Sequence, residues 1–129
     1  MNRYIGVGMT MLAGAALGGI ALNGLHAQSK GPGAYAIIDL TEITDREDFM
    51  KQLLPKAGPA ILSAGGKFLA ATEKIVALDG TPPQRFVIIA FDSVDKAKAW
   101  DASPAQKEVN AMRVKWTKSR VFVVEGEGN

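Results

Sequence analysis

The stretch "QRFVIIAFDS", positions 84–93, constrains the fold more than any other part of the chain. A β-strand sends successive side chains to opposite faces, so Phe86, Ile88 and Ala90 share one face while Val87, Ile89 and Phe91 share the other. Both sets are apolar, and neither face is suited to water. The strand therefore belongs in a sheet covered on both sides.

The flanking segments say what covers one side. "AYAIIDLTEI" reads as a first strand over Ala34–Thr41. Thr44-Asp45-Arg46-Glu47 then has capping-box spacing, with Asp45 and Asp48 suited to the positive end of a helix. Phe49, Met50, Leu53, Leu54, Ala57 and Ile61 follow at helical spacing, while Pro55 and Pro59 each remove a backbone donor and are expected to kink or divide that helix. "AGG" at 64–66 ends it. "GKFLAATEKIVALDG" reads as a second strand with a break near Glu73 and Lys74, closed by the turn "DGTPP". Beyond the third strand, Ser93 caps a helix carrying Val94, Ala97 and Trp100, and Ser103-Pro104 opens another with Ala105, Val109, Met112 and Trp116 along one face. "SRVFVVEGE" supplies the last strand.

The order β-α-β-β-α-β places the chain in the α+β class, with a ferredoxin-like antiparallel sheet and helices on one face. The other face needs its own cover. A second copy of the same sheet, packed face to face about a two-fold axis, would supply it, which predicts a homodimer; a bound ligand or an N-terminal segment could contribute.

The first residues have a different composition. Arg3 precedes an apolar run from Tyr4 to Leu22, and small and polar residues close it, which is the layout of a secretory signal peptide over residues 1–27 with Ala27 at the cleaved position. Residues 28–33 then form a flexible linker, 34–126 the domain and 127–129 a tail. This reading exports the protein, to the periplasm of a bacterium, with no membrane attachment after cleavage. The alternative is an anchor through residues 4–22, whose length approaches the roughly 20 residues that span a bilayer.

Cleavage would also remove His26, the single histidine, and the chain has no cysteine. No Ser-His-Asp or Cys-His set can then be assembled, and the carboxylates show no metal-ligand spacing, so neither a metal nor another cofactor is expected. A net charge of +2 gives no strong basic field. Lys107, Arg113, Lys115, Lys118 and Arg120 form a loose cluster without interleaved exposed aromatics, so a nucleic-acid partner is not expected.

Six residues stand out for a binding or catalytic role. Asp39 lies among apolar strand residues, where an inward carboxylate would serve as a general base, and Tyr35 shares its face two residues earlier. Asp79 and Arg85 flank the hairpin turn and would pair or present a carboxylate and a guanidinium to a polar ligand. Lys67 follows a glycine pair and would meet an anion, and Trp100 would line a cavity between helices and sheet or simply fill the core. Asn110 is a further residue able to orient a substrate.

"AGGKFLA", "ALDGTPPQRFVIIAFDS", "AKAWDASPAQKE" and "VFVVEG", in that order across nearly all of residues 34–126, resemble the family catalogued as domain of unknown function 1330. The resemblance implies the dimeric α/β-barrel fold and brings no established reaction. Asp79 stands where the family usually shows a glutamate, and Ala105-Gln106 where an aromatic often follows the Ser-Pro pair. Three functions are compatible with these residues: an exported dimer binding a small, partly apolar molecule; a cofactor-independent enzyme of oxygenase or isomerase type with Asp39 as base and Arg85 or Lys67 stabilising an anion; and a structural or partner-binding dimer.

Overall fold

A computed structural model describes residues 31–127, and the expected signal peptide, the first half of the linker and the last two residues of the tail lie outside the described residues. Four strands, β1 (Ala34–Ile43), β2 (Lys67–Thr72), β3 (Arg85–Phe91) and β4 (Thr117–Glu125), form one sheet in the order β2-β3-β1-β4. All neighbours run antiparallel. The two central strands, β1 and β3, are the most apolar: their apolar helix-side residues are buried, and most of those on the opposite face are half-buried.

The first helical segment begins one residue later than the capping-box spacing predicts. Asp45, not Thr44, accepts from the Asp48 amide at 3.1 Å, while the Thr44 amide donates to the Trp116 carbonyl at 2.8 Å. Glu47 turns instead to Lys51, 2.9 Å away at i,i+4. The helical path then runs through α1 (Arg46–Asp48), a wider π-helical turn (Phe49–Leu53) and α2 (Leu54–Ser63). Pro55 does not divide the helix: it sits in the first turn of α2, where no backbone donor is missed, and the chain widens just before it, with the Leu54 amide reaching the Phe49 carbonyl. Gly65, at φ 88°, ends α2 in the left-handed conformation.

β2 stops at Thr72, and the chain from 73 to 84 crosses to β3 without regular structure, so the second strand is shorter than "GKFLAATEKIVALDG" implied. The two remaining caps form as the sequence predicts. The Ser93 hydroxyl accepts from the Lys96 amide at 3.1 Å to start α3 (Val94–Ala102), and that of Ser103 accepts from Gln106 at 3.2 Å to start α4 (Pro104–Trp116). The buried stripe of α4 differs from the expected one. Ala105 is exposed and Gln106 is buried in its place, while Val109, Met112 and Trp116 pack on the core as expected and Arg113 turns inward beside them.

The helices pack on one face of the sheet. Ala36, Ile38 and Leu40 of β1, with Val87, Ile89 and Phe91 of β3, meet Phe49, Leu53, Ile61, Trp100, Val109 and Trp116 in the core. Each of the larger fully buried side chains, such as Phe49, Ile61 and Ile89, contributes roughly 1.5–3 kcal/mol by leaving water. The opposite face carries Tyr35 and Ile37 of β1, Phe86 and Ile88 of β3, and Phe122 and Val124 of β4 in register across the strands. No helix covers it among the described residues, and Phe122 and Val124 are 40% and 41% exposed.

Candidate functional site

Between the sheet and the helices lies a cavity of about 280 Å³. Its walls are mainly apolar, from Ile38, Leu40 and Val87 on the sheet to Phe49, Leu53 and Ile61 opposite. The polar groups of the lining are three: Arg85, at the start of β3, and Gln106 and Arg113, two turns apart on α4. Arg85 reaches this side because its register partner is Leu40, whose side chain belongs to the core.

A hydrogen-bond relay orients the α4 groups. A carboxylate only accepts, so the 2.9 Å bond from Asn110 Nδ2 to Asp101 Oδ1 fixes which way the Asn110 amide points. Asn110 Oδ1 then accepts from Gln106 Nε2 at 3.0 Å and from Arg113 Nη2 at 3.4 Å. That leaves Gln106 Oε1 buried without a protein donor. Arg113 donates from Nη1 to Ser119 Oγ at 2.8 Å, and its Nε is buried without an acceptor. Burial pushes the Arg113 guanidinium below its ordinary pKa, against the field of Asp101, which raises it.

At the edge of the cavity, Arg85 Nη1 lies 3.9 Å from Glu73. Glu73 is also held by Arg46 through two bonds of 2.9 and 3.0 Å. This bidentate contact keeps the Glu73 carboxyl below its ordinary pKa and raises that of Arg46.

Of the six residues singled out in the sequence, Arg85 alone lines the cavity. Asp39 and Tyr35 do share a face, as alternation requires, but it is the one away from the helices: Asp39 pairs across the ladders with Phe86 and Arg120, and Tyr35 with Ala90 and Val124. Lys67 is exposed opposite Ala90 on that same face. Asp79 is exposed in the connection before β3, and Arg85 approaches Glu73 in its place. Trp100 is 1% exposed and packs on Phe91 with ring centroids 5.5 Å apart, a core residue outside the cavity lining. The basic cluster disperses: Arg113 turns inward, Lys118 lies 3.4 Å from Glu42, and Arg120 is bound to Asp39. Gln106 and Arg113 were not among the six. Their signal is polar side chains at the 3,4,3 spacing of a buried helix face, which apolar pattern matching passes over.

The sheet order and the helices packed on one side define a ferredoxin-like α+β protein. Within that class, the chain belongs to the family described as domain of unknown function (DUF1330), whose model matches residues 33–127. No curated protein matches it. Among solved structures it is similar to a protein of unknown function from Rhodopseudomonas palustris, at 14% identity and TM-score 0.54 over 82% of this chain and 92% of that one. It is also similar to SnoaB, a cofactor-independent oxygenase from Streptomyces nogalater, at 10% identity and TM-score 0.55 over 77% and 97% of the two chains. A dimeric ferredoxin-like protein of unknown function from Thermobifida fusca matches at 17% identity and TM-score 0.52 over 74% and 92%.

Proposed function

We propose that this protein is an exported homodimer that binds a small, partly apolar molecule in the cavity between its sheet and helices. The cavity carries the reading: about 280 Å³ of space with apolar walls and three polar groups, two of which keep an unsatisfied buried atom. Such a site is built like a ligand pocket, with a hydrophobic body and few polar groups to orient what enters. A cavity of about 150 Å³ accepts benzene, so this one suits about 10–13 non-hydrogen atoms. Dimerisation is supported by the apolar sheet face that the helices leave open and by the dimer described for the Thermobifida fusca protein. Export to the periplasm rests on the layout of residues 1–27.

The likeness to SnoaB keeps a cofactor-independent enzyme as the second reading. Asp39 and Arg85 lie on opposite faces of the sheet, so within one subunit that enzyme would not draw its base and its anion-stabilising group from this pair. Methyl-resolved NMR with a library of fragments of about 10–13 non-hydrogen atoms tests the binding reading. Shifts should concentrate on the methyls of Ile38, Leu40, Leu53 and Ile61, which line the cavity. Shifts confined to Ile37 and Ile88 would overturn it.

A further inference from the structure

The charges around the cavity do not balance. Two guanidiniums line it, and no carboxylate is among its lining residues. Arg85 has Glu73 at 3.9 Å, but both oxygens of that carboxylate already bind Arg46. Arg113 donates only to neutral oxygens, those of Ser119 and Asn110, and its Nε donates to nothing. Asp101, the carboxylate that acts on Arg113, bonds to the Asn110 amide between them. A cation drawn out of water into an apolar site is costly until an opposite charge meets it, and guanidinium meets carboxylate best.

We infer that the cavity takes a small organic anion, a carboxylate on an apolar body, with Arg113 on α4 and Arg85 on β3 binding the charged end. This deepens the binding reading proposed above and rests on it. The apolar walls from Ile38 to Phe49 hold the body, and the Asn110 relay holds Gln106 and Arg113 in place, which makes Asn110 a positioning residue. The source of selectivity is then charge: an uncharged molecule of the same shape gains the walls and leaves both guanidiniums unmatched.

Calorimetric titration of the full domain with matched acid and alcohol pairs tests this. The probes are 2-naphthoate against 2-naphthalenemethanol and decanoate against 1-decanol. At least one acid should bind about tenfold or more tightly than its alcohol, which corresponds to the roughly 1.4 kcal/mol of a decade in affinity. That preference should fall to near unity in Arg113→Gln and shrink in Arg85→Gln, chiefly through loss of the acid's affinity. Circular dichroism melts show which variant remains folded, and either folded variant suffices. Acid and alcohol binding equally would overturn the anion inference and leave the binding reading intact. Failure of all four probes to bind would overturn both.

Discussion

Asp39 and Arg120 face each other across the β1–β4 ladder, with Asp39 Oδ2 accepting from Arg120 Nη2 at 2.6 Å and from Nε at 3.2 Å. The aspartate is buried and its Oδ1 has no protein donor, whereas the arginine side chain is 71% exposed. Removing the arginine leaves a buried carboxylate without its counter-charge. We expect Arg120→Ala to destabilise the domain by about 1–2 kcal/mol, reduced from the buried-pair value because the guanidinium is screened by solvent. Asp39→Leu in the same chain should restore most of that loss. Urea titration of the single and double variants checks the coupling.

The same face tests the dimer. Ile37 and Ile88 pair at its centre, with Phe122 beside Ile37 on β4. Ile88→Glu would bury a charge in a sheet-on-sheet interface and should convert a dimer into a folded monomer, measured by light scattering after size exclusion. A dimer that persists in this variant would place the interface elsewhere.

Gln106 is 2% exposed and keeps an unbonded Oε1. An unsatisfied buried acceptor costs roughly 1–3 kcal/mol, and an apolar side chain of similar shape removes that cost. Gln106→Met should therefore raise stability by about 1 kcal/mol, net of the lost bond to Asn110. Thermal melts of the variant and the wild type check this.

Much of this architecture is written in local signals. Ser93 and Ser103 cap their helices because a hydroxyl before a helix start needs only its own backbone neighbours. The doubly apolar β3 likewise announces a sheet with two faces to cover. Asp45, not Thr44, is the cap, and the amides of both donate to the Trp116 carbonyl, a contact distant in sequence. The site was less legible for the same reason. Which face Arg85 occupies depends on its register with Leu40, and Asp39 is neutralised by a residue 81 positions away. Gln106 and Arg113 occupy core positions on α4 with polar side chains, against the pattern that identifies a core.

Gly66 allows the end of α2 to approach the sheet. A Cβ there would lie 2.8 Å from Ile61 Cγ2 and 2.9 Å from both Ile89 Cγ2 and Phe91 Cζ, all core side chains. Gly66→Ala should cost about 1–3 kcal/mol by overpacking, read from chemical denaturation. Gly58→Ala, where nothing lies within 4 Å, is the control and should be neutral or stabilising.

Glu73 predicts a pH dependence. Its carboxyl is held below the ordinary value of 4.5, chiefly by the Arg46 hydrogen bonds, so its contribution to stability is complete above the unfolded value and is lost as pH falls through the folded one. Between about pH 5 and 3 the melting temperature of the wild type should fall more steeply than that of Glu73→Gln. At neutral pH the same substitution frees Arg85 from its nearest carboxylate and should tighten binding of an organic anion.

Native mass spectrometry of the protein recovered from the envelope of its own host tests the central claim most directly. The account predicts a dimer of chains beginning at Gln28, each carrying a small non-covalent mass that ionises as an anion once released. Chains that carry no bound mass, whether single or paired, would contradict it.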